Sequence, residues 1–295
     1  MKRPRPGQFE TAIGNIPITF LYDRNAFRIK VVPREKDERH LAERGITLTL
    51  RRGLPPGKGE RKKIFDSGSN WCLYLQDGKL VLQDRSFDSL LLPHKYVVLE
   101  PELNRGDIYY TGKRLHRNVS RDPLKYPLNQ ILTLILLSRT QGALFHACGI
   151  IDRGRGYLFT GNSTHGKSTI AQIWKDAGAT ILNDDRIIVK KEKGEFRMYG
   201  TPWHGDFPET SLSDMAVRNI FFLKHGQTNR IVPRKGTDAI SMMMTRSFPP
   251  YWDGNGMNGT LAFLEDMESS LACYDLYFRP DSDVIDFVRD VSSNE

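Results

Sequence analysis

Two textures of hydrophobic and polar positions follow one another along the chain. From Ile16 to about Tyr110 the apolar residues come in short β-type runs: IPITFLY, GITLTLRR, WCLYL, KLVLQ, YVVLE and DIYY. Asp77-Gly78 lies between WCLYLQ and KLVLQ, and Gly accepts the positive φ of a tight turn, so this dipeptide predicts a β-hairpin. The first half therefore reads as a small antiparallel, β-rich domain.

The texture changes near Pro123. PLNQILTLILLSRT, from Pro127 to Thr140, predicts an apolar helix of about four turns, too short to span a bilayer and suited to burial between the two halves. ALFHACGIID, GYLFTG and ATILNDDRIIVK then alternate with the helical pattern KSTIAQIWKDA. Further on, NIFFLKH reads as a core strand and NGTLAFLEDMESSL as a helix. ACYDLYF reads as a final strand before a polar tail. The Met242 to Met244 cluster predicts core packing, and FPPYWD, Phe248 to Asp253, a rigid aromatic turn that packs or walls the site. The division predicted is a β-rich domain over 1–120 and an α/β domain over 121–295.

Composition narrows the class. At 295 residues and 39% hydrophobic, the chain can bury a proper core. It has no run of eighteen uncharged apolar residues, and MKRPRPGQFE lacks the apolar centre of a secretory signal, so a cytoplasmic, non-membrane protein is expected. Cys72, Cys148 and Cys273 are far apart with no CxxC spacing, which points to buried thiols rather than disulfides or zinc.

The net charge of +8 is unevenly spread. Residues 1–120 hold 23 Lys and Arg against 14 Asp and Glu, and residues 121–295 hold 20 against 21. The densest basic stretch, RRGLPPGKGERKK from Arg51 to Lys63, is rich in Gly and Pro and reads as an exposed loop between strands. Either it is simply solvated or it steers an acidic peptide or protein. No nucleic-acid-binding motif accompanies it, so nucleic acid is not an expected partner.

Candidate chemistry begins at GNSTHGKST. Gly161, Gly166, Lys167 and Ser168 satisfy G-x-x-x-x-G-K-[ST], after the apolar strand YLFT and at the head of the helix STIAQIW. Glycines let successive N–H groups face one anion, and the helix N-terminus adds partial positive charge. Lys167 supplies a point charge for the β- and γ-phosphates, and Ser168 a ligand for Mg²⁺. The predicted nucleotide cradle is thus Gly161, Asn162, Ser163, Thr164, His165, Gly166, Lys167, Ser168 and Thr169, with ATP and Mg²⁺ as the implied cofactors. Thr169 could substitute for Ser168.

Asp184 and Asp185 follow the apolar run TIL. A kinase needs one carboxylate for Mg²⁺ and a second to take the proton of an attacking hydroxyl, and an adjacent pair can supply both. Alone, the segment reads equally as a turn in which Asn183, Asp184 and Asp185 cap the backbone.

FHACGIID, GYLFTGNSTHGKSTIAQIW and GATILNDDRIIV, in this order, resemble the catalytic domain of HPr kinase/phosphorylase and its related kinases over residues 143–230. The resemblance implies an α/β, P-loop-containing domain with a nucleotide site like that of phosphoenolpyruvate carboxykinase, beside the smaller β-rich domain. It implies a kinase that uses ATP and Mg²⁺ to phosphorylate a serine hydroxyl of a protein. Position by position, Lys167 would hold the phosphates, Ser168 would bind metal, Asp184 would be the general base and Asp185 its partner near the metal. His146 matches the family's strand histidine close to the transferring phosphate; without the resemblance, it reads as a packed core residue. Family members are often oligomeric, so a homo-oligomer is compatible.

The chain departs from the family in two places. The phosphate loop has NSTH without the usual middle glycine, which puts His165 beside a phosphate or in solvent. The segment after the acidic pair is YGTPWHGDFPE, Tyr199 to Glu209, in place of the family's Ile- and Gly-rich signature. That argues against a reverse, phosphorylase activity and leaves a transition-state arginine unassigned. Thr201, Trp203, His204 and Asp206 make this segment a site loop or a structural turn. In this region the chain looks closer to HPr-kinase-like enzymes that phosphorylate ribosomally made peptides, including lasso-peptide precursors. The expected acceptor is therefore a Ser/Thr hydroxyl of a peptide or protein; the alternatives are a nucleotide sensor without transfer and a small-molecule kinase.

Overall fold

The computed structural model describes residues 5–29, 45–57, 59–85, 95–111, 120–162, 165–203 and 205–293. Contacts divide the chain into two compact units, Met1–Thr133 and Leu134–Glu295.

The first unit is built from β1 (Pro6–Ile13), β2 (Ile16–Asp23), β3 (Arg28–Ile29), β4 (Ile46–Arg52), β5 (Lys62–Asp66), β6 (Trp71–Gln76), β7 (Lys79–Asp84), β8 (Lys95–Leu99), β9 (Arg105–Tyr110) and β10 (Ser120–Arg121). Its main sheet has the order β1-β2-β4-β9-β8-β7-β6-β5, and β3 pairs separately with β10. Alternate residues build one buried face: Ile16, Ile18 and Phe20 on β2, Ile46, Leu48 and Leu50 on β4, Val97 and Leu99 on β8. Asp77 (φ 50°) and Gly78 (φ 75°) close the predicted hairpin between β6 and β7 in the left-handed region that primed turns require. The basic stretch is exposed as expected, but the connection is shorter than Arg51–Lys63: Arg51 and Arg52 end β4, and Lys62 and Lys63 open β5, all four at the surface. The sheet is mixed, however, because β2 pairs with β4, and β4 with β9, in parallel. Parallel neighbours need long crossovers rather than tight turns, so no local turn signal announces them.

Helix α1 (Leu128–Leu137) follows, and the division between units falls within it. The second unit then runs β11 (Gly142–Phe145), β12 (Ala147–Asp152), β13 (Arg155–Thr160), α2 (Lys167–Asp176), β14 (Thr180–Asn183), β15 (Ile187–Glu192), β16 (Glu195–Gly200), β17 (Asp214–His225), β18 (Arg230–Arg234), α3 (Gly236–Met244), α4 (Gly254–Ser270), β19 (Ala272–Phe278) and α5 (Asp283–Ser293). The fold class of this unit is mixed α/β.

Its sheet has the order β11-β15-β16-β17-β13-β12-β14, and β17 also pairs with β19, which pairs with β18. Strands β13, β17 and β19 are parallel, so Thr160, His225 and Phe278 end at the same edge of the sheet. Open α/β sheets bind ligands outside the carboxyl ends of such strands. Alternation along β13 and β17 feeds two cores. Tyr157, Phe159 and Phe221 pack with Ile170 and Trp174 of α2 and Val284 and Val288 of α5. Leu158, Ile220 and Phe222 share the opposite core with Met243 of α3 and Phe263, Leu264 and Met267 of α4.

The tail expected to be polar is instead the amphipathic helix α5. Val284, Ile285 and Val288 are buried on one side. Arg289 donates to both oxygens of the buried Asp152 carboxylate at 2.9 Å each. The three cysteines are free and buried, and burial pushes the Cys273 thiol up to about 12. Among the described residues, no helix is long and apolar enough to cross a membrane.

Candidate functional site

The site grows from the carboxyl end of β13. Thr160 is fully buried, and its Oγ1 donates to the His146 carbonyl at 3.2 Å. The chain then leaves the sheet through Gly161 and Asn162 and returns at His165. Ser163 and Thr164, two members of the predicted cradle, lie outside the described residues. Gly166 caps α2 in the left-handed region with φ 90° and brings no side chain to the first-turn N–H groups. A Cβ there would also approach the Phe278 ring to 2.8 Å, so glycine serves both conformation and packing.

Lys167, only 7% exposed, donates from Nζ to the carbonyls of Gly161 at 2.9 Å and Asn162 at 3.1 Å. Burial lowers the pKa of its ammonium, and the charges of Asp185 and Asp184 oppose that shift. On the next residue, Ser168 Oγ donates to Asp184 Oδ2 at 2.7 Å. Thr169 is exposed beside them.

Asn183, fully buried at the end of β14, organises the acidic turn. Its Oδ1 accepts the N–H groups of Asp185 at 2.7 Å and Arg186 at 2.8 Å, which is an Asx turn. Its Nδ2 donates to the Thr201 carbonyl at 3.1 Å and to that of Trp203. One side chain thus ties the acidic turn to the segment Tyr199 to Glu209. The same segment reaches Asp184 directly, because the N–H groups of Gly205 and Phe207 each donate to its carboxylate at 3.1 Å. A Cβ on Gly205 would lie 2.9 Å from Asp184 Oδ1, so this approach requires glycine. His204 lies outside the described residues.

Asp185 turns the other way. Its Oδ1 accepts from Arg186 Nη1 and lies 3.3 Å from His146 Nε2. His146 occupies the break between β11 and β12, where its N–H donates to the Arg246 carbonyl at 2.7 Å. What reads in sequence as one strand is therefore two, with the histidine at the joint. Burial lowers the His146 pKa, helped by the charges of Lys167 and Arg186 and opposed by Asp185, so the imidazole is neutral at neutral pH.

One cleft of about 420 Å³ is lined by His146, Gly166, Lys167, Ser168, Thr169, Asp184, Asp185, Gly205 and Asp206. The structure thus brings together most of the residues expected to carry the chemistry. His165 faces away towards His225, with ring centroids 5.8 Å apart, and does not line the cleft. Gly161 and Asn162 act through the carbonyls that hold Lys167. Arg186 was missed in the sequence, and Phe248 reads there only as part of an aromatic turn that packs or walls the site; their guanidinium and ring lie 4.2 Å apart beside Asp185 and His146. The arginine could have been found from its place directly after the acidic pair; the phenylalanine carries no local signal.

The chemistry of the donor set fits a magnesium nucleotide. Three carboxylates and one ammonium line the cleft, so a polyphosphate can enter only with a cation that offsets its charge. Among the described residues, no group of three or more His, Cys, Asp or Glu side chains could hold a metal. Mg²⁺ needs no such group, because it commonly takes one or two carboxylates and completes its shell with phosphate and water oxygens.

No protein-family model matches the chain, and no curated protein does. Among solved structures it is similar to the Hpr(Ser) kinase/phosphatase from Coxiella burnetii, with 14% sequence identity and a TM-score of 0.31, over 51% of this chain and 94% of that one. So faint a likeness carries no weight for function, which has to be argued from the cleft itself.

Proposed function

We propose that the chain is an ATP- and Mg²⁺-dependent kinase that transfers the γ-phosphate to a Ser/Thr hydroxyl of a peptide or protein. The observation that carries this reading is the Ser168–Asp184 hydrogen bond, which joins the head of a phosphate-loop helix to an acidic pair whose second member faces the cleft beside a neutral histidine. A nucleotide-binding loop alone would account for Lys167 and Ser168, but not for a second carboxylate.

The cleft supports a division of labour. Lys167 exchanges the loop carbonyls for the phosphates, where its ammonium and the first N–H groups of α2 neutralise charge. Ser168 and Asp184 would hold Mg²⁺, which when bound neutralises charge on the β- and γ-phosphates. Asp184 has its two oxygens engaged by one hydroxyl and two N–H groups. Asp185 is the more accessible carboxylate. We therefore assign the general base to Asp185 and the metal side to Asp184, the reverse of the roles that the family resemblance implies. Asp185 takes the proton of the acceptor hydroxyl as the acceptor oxygen bonds the γ-phosphorus. The bond from that phosphorus to the β,γ-bridging oxygen breaks, and ADP leaves with the electron pair. His146 Nε2 lies 3.3 Å from Asp185 Oδ1 and flanks the base.

For the acceptor we infer a peptide or protein, a ribosomally made precursor being one candidate, supported by Gly205 and Asp206 of the TPWHGD segment at the cleft and by the basic excess of residues 1–120. The test is incubation of the purified protein with γ-labelled ATP, Mg²⁺ and peptides and proteins from its own cell extract. Label on a peptide or protein serine or threonine is the expected result. ATP binding without label on any acceptor would turn the reading towards a nucleotide sensor, and label on a metabolite towards a small-molecule kinase.

A further inference from the structure

We propose that Arg186 is a positioning residue for the transfer step: it fixes the Asp185 carboxylate at the acceptor side of the cleft. The inference rests on the kinase reading above and supplies the function of an arginine that the sequence leaves unassigned.

Arg186 is fixed at both ends. At the backbone, its N–H donates to Asn183 Oδ1 at 2.8 Å and its carbonyl accepts from Thr201 Oγ1 at 2.8 Å. At the tip, the guanidinium carbon lies 4.2 Å from the centroid of the Phe248 ring. Phe248 is itself held, because its N–H donates to the Leu144 carbonyl at 2.9 Å, one residue before Phe145 and two before His146. The planar group can stack on that ring while its N–H groups remain directed outward, which an ammonium cannot do.

From this seat, Nη1 donates to the Asp185 carbonyl at 3.2 Å and to Asp185 Oδ1. The same Oδ1 faces His146 Nε2 at 3.3 Å. One hydrogen bond and one close imidazole on the same oxygen restrict the rotation of the carboxylate. Among the described residues, Oδ2 accepts no hydrogen bond, so it is the oxygen left for the acceptor hydroxyl. An ion pair between sequence neighbours at the surface would add little. Here the pair is part-buried, with side chains 20% and 26% exposed, and it sets the direction of a group in the cleft. Arg186 does not line the cleft, so its effect passes through Asp185.

Arg186→Gln is expected to lower kcat for phosphoryl transfer by roughly 100-fold, the scale of a reacting group misplaced by about an ångström, with the KM for ATP within about twofold. Arg186→Lys keeps the charge but not the stacking plane and recovers only part of the rate. The decisive comparison is a double-mutant cycle with Asp185→Asn. If Arg186 acts through Asp185, its loss costs little more once Asp185 is gone. Losses that simply add, or a rise in the KM for ATP without a fall in kcat, would overturn the assignment. So would an Arg186→Gln enzyme as fast as the wild type, and that result would leave the kinase reading intact. A wild-type protein that binds ATP and transfers nothing would overturn both. Should Arg186→Gln fail to fold, the Arg186→Lys variant and Phe248→Leu, which removes only the stacking ring, carry the same comparison.

Discussion

Asp185→Asn is expected to abolish most phosphoryl transfer while leaving Mg²⁺·ATP binding within a few-fold of the wild type. Asparagine keeps the size of aspartate and can still accept the Arg186 hydrogen bond through its Oδ1, beside His146 Nε2. What it cannot do is take a proton. Removal of a general base costs about 10²- to 10⁴-fold in rate, or roughly 3–5 kcal/mol in the activation barrier. Rapid-quench measurement of labelled product under single turnover, alongside equilibrium ATP binding, separates the two quantities. Asp184→Asn is expected to give the complementary result, because on the proposed division its carboxylate, bonded to Ser168, would hold Mg²⁺ and so act on nucleotide binding. Its expected signature is a weaker dependence of ATP affinity on Mg²⁺. If Asp184→Asn instead spares binding and stops transfer while Asp185→Asn weakens binding, the two roles are as the family resemblance has them, and our division of the pair is wrong.

The second large effect concerns the scaffold. Trp174 is fully buried on the inner side of α2, 5.4 Å from the Tyr157 ring and 6.1 Å from that of Phe159, with the Arg289 guanidinium 5.6 Å from its centroid. It connects the helix that begins with Lys167 to the strand that ends at Thr160. Trp174→Ala removes the largest side chain from this core and leaves a cavity, at a cost of about 3–5 kcal/mol. For a chain of this size the expected fall in melting temperature is roughly 6–20 °C. The indole N–H has no hydrogen-bond partner among the described residues, so Trp174→Phe forfeits volume alone and costs less. Thermal denaturation of both variants checks the order. Equal losses would mean that packing around Trp174 is not what anchors the helix.

Parts of this architecture are legible wherever a short stretch of sequence carries its own physical signal. Asp77-Gly78 marks a hairpin because few residue pairs accept two positive φ values. The order YLFT, GNSTHGKS, TIAQIW marks a strand, a loop and a helix because the glycines and lysine fall where the backbone turns. Asn183-Asp184-Asp185 could be read either as a capping turn or as a functional pair; Asn183 makes the turn, and the two aspartates line the cleft.

The remainder depends on partners distant in sequence. Nothing in GITLTLRR tells that β4 lies between two parallel neighbours, β2 and β9. Phe248 reaches the site from a connection between α3 and α4, more than sixty residues after Arg186, and a phenylalanine before two prolines reads equally well as packing. The last helix was legible and overlooked. Val284, Ile285 and Val288 recur at helical spacing in DVIDFVRDVSS, but the flanking aspartates give the segment a polar average that hides its apolar face. His165 reads in sequence as touching a phosphate or pointing to solvent; its ring lies against His225, outside the lining of the cleft.

On the proposed function, the cleft at the head of α2 binds the phosphates of ATP. The most direct measurement is a calorimetric titration of the protein with Mg²⁺·ATP, repeated on Lys167→Ala, with thermal denaturation to show that the variant is folded. Saturable binding by the wild type and a loss of at least tenfold in affinity for the variant are expected, because a buried ammonium paired with phosphate is worth more than about 1.4 kcal/mol. Undiminished binding by a folded Lys167→Ala protein, or no binding by the wild type, would contradict the proposed function.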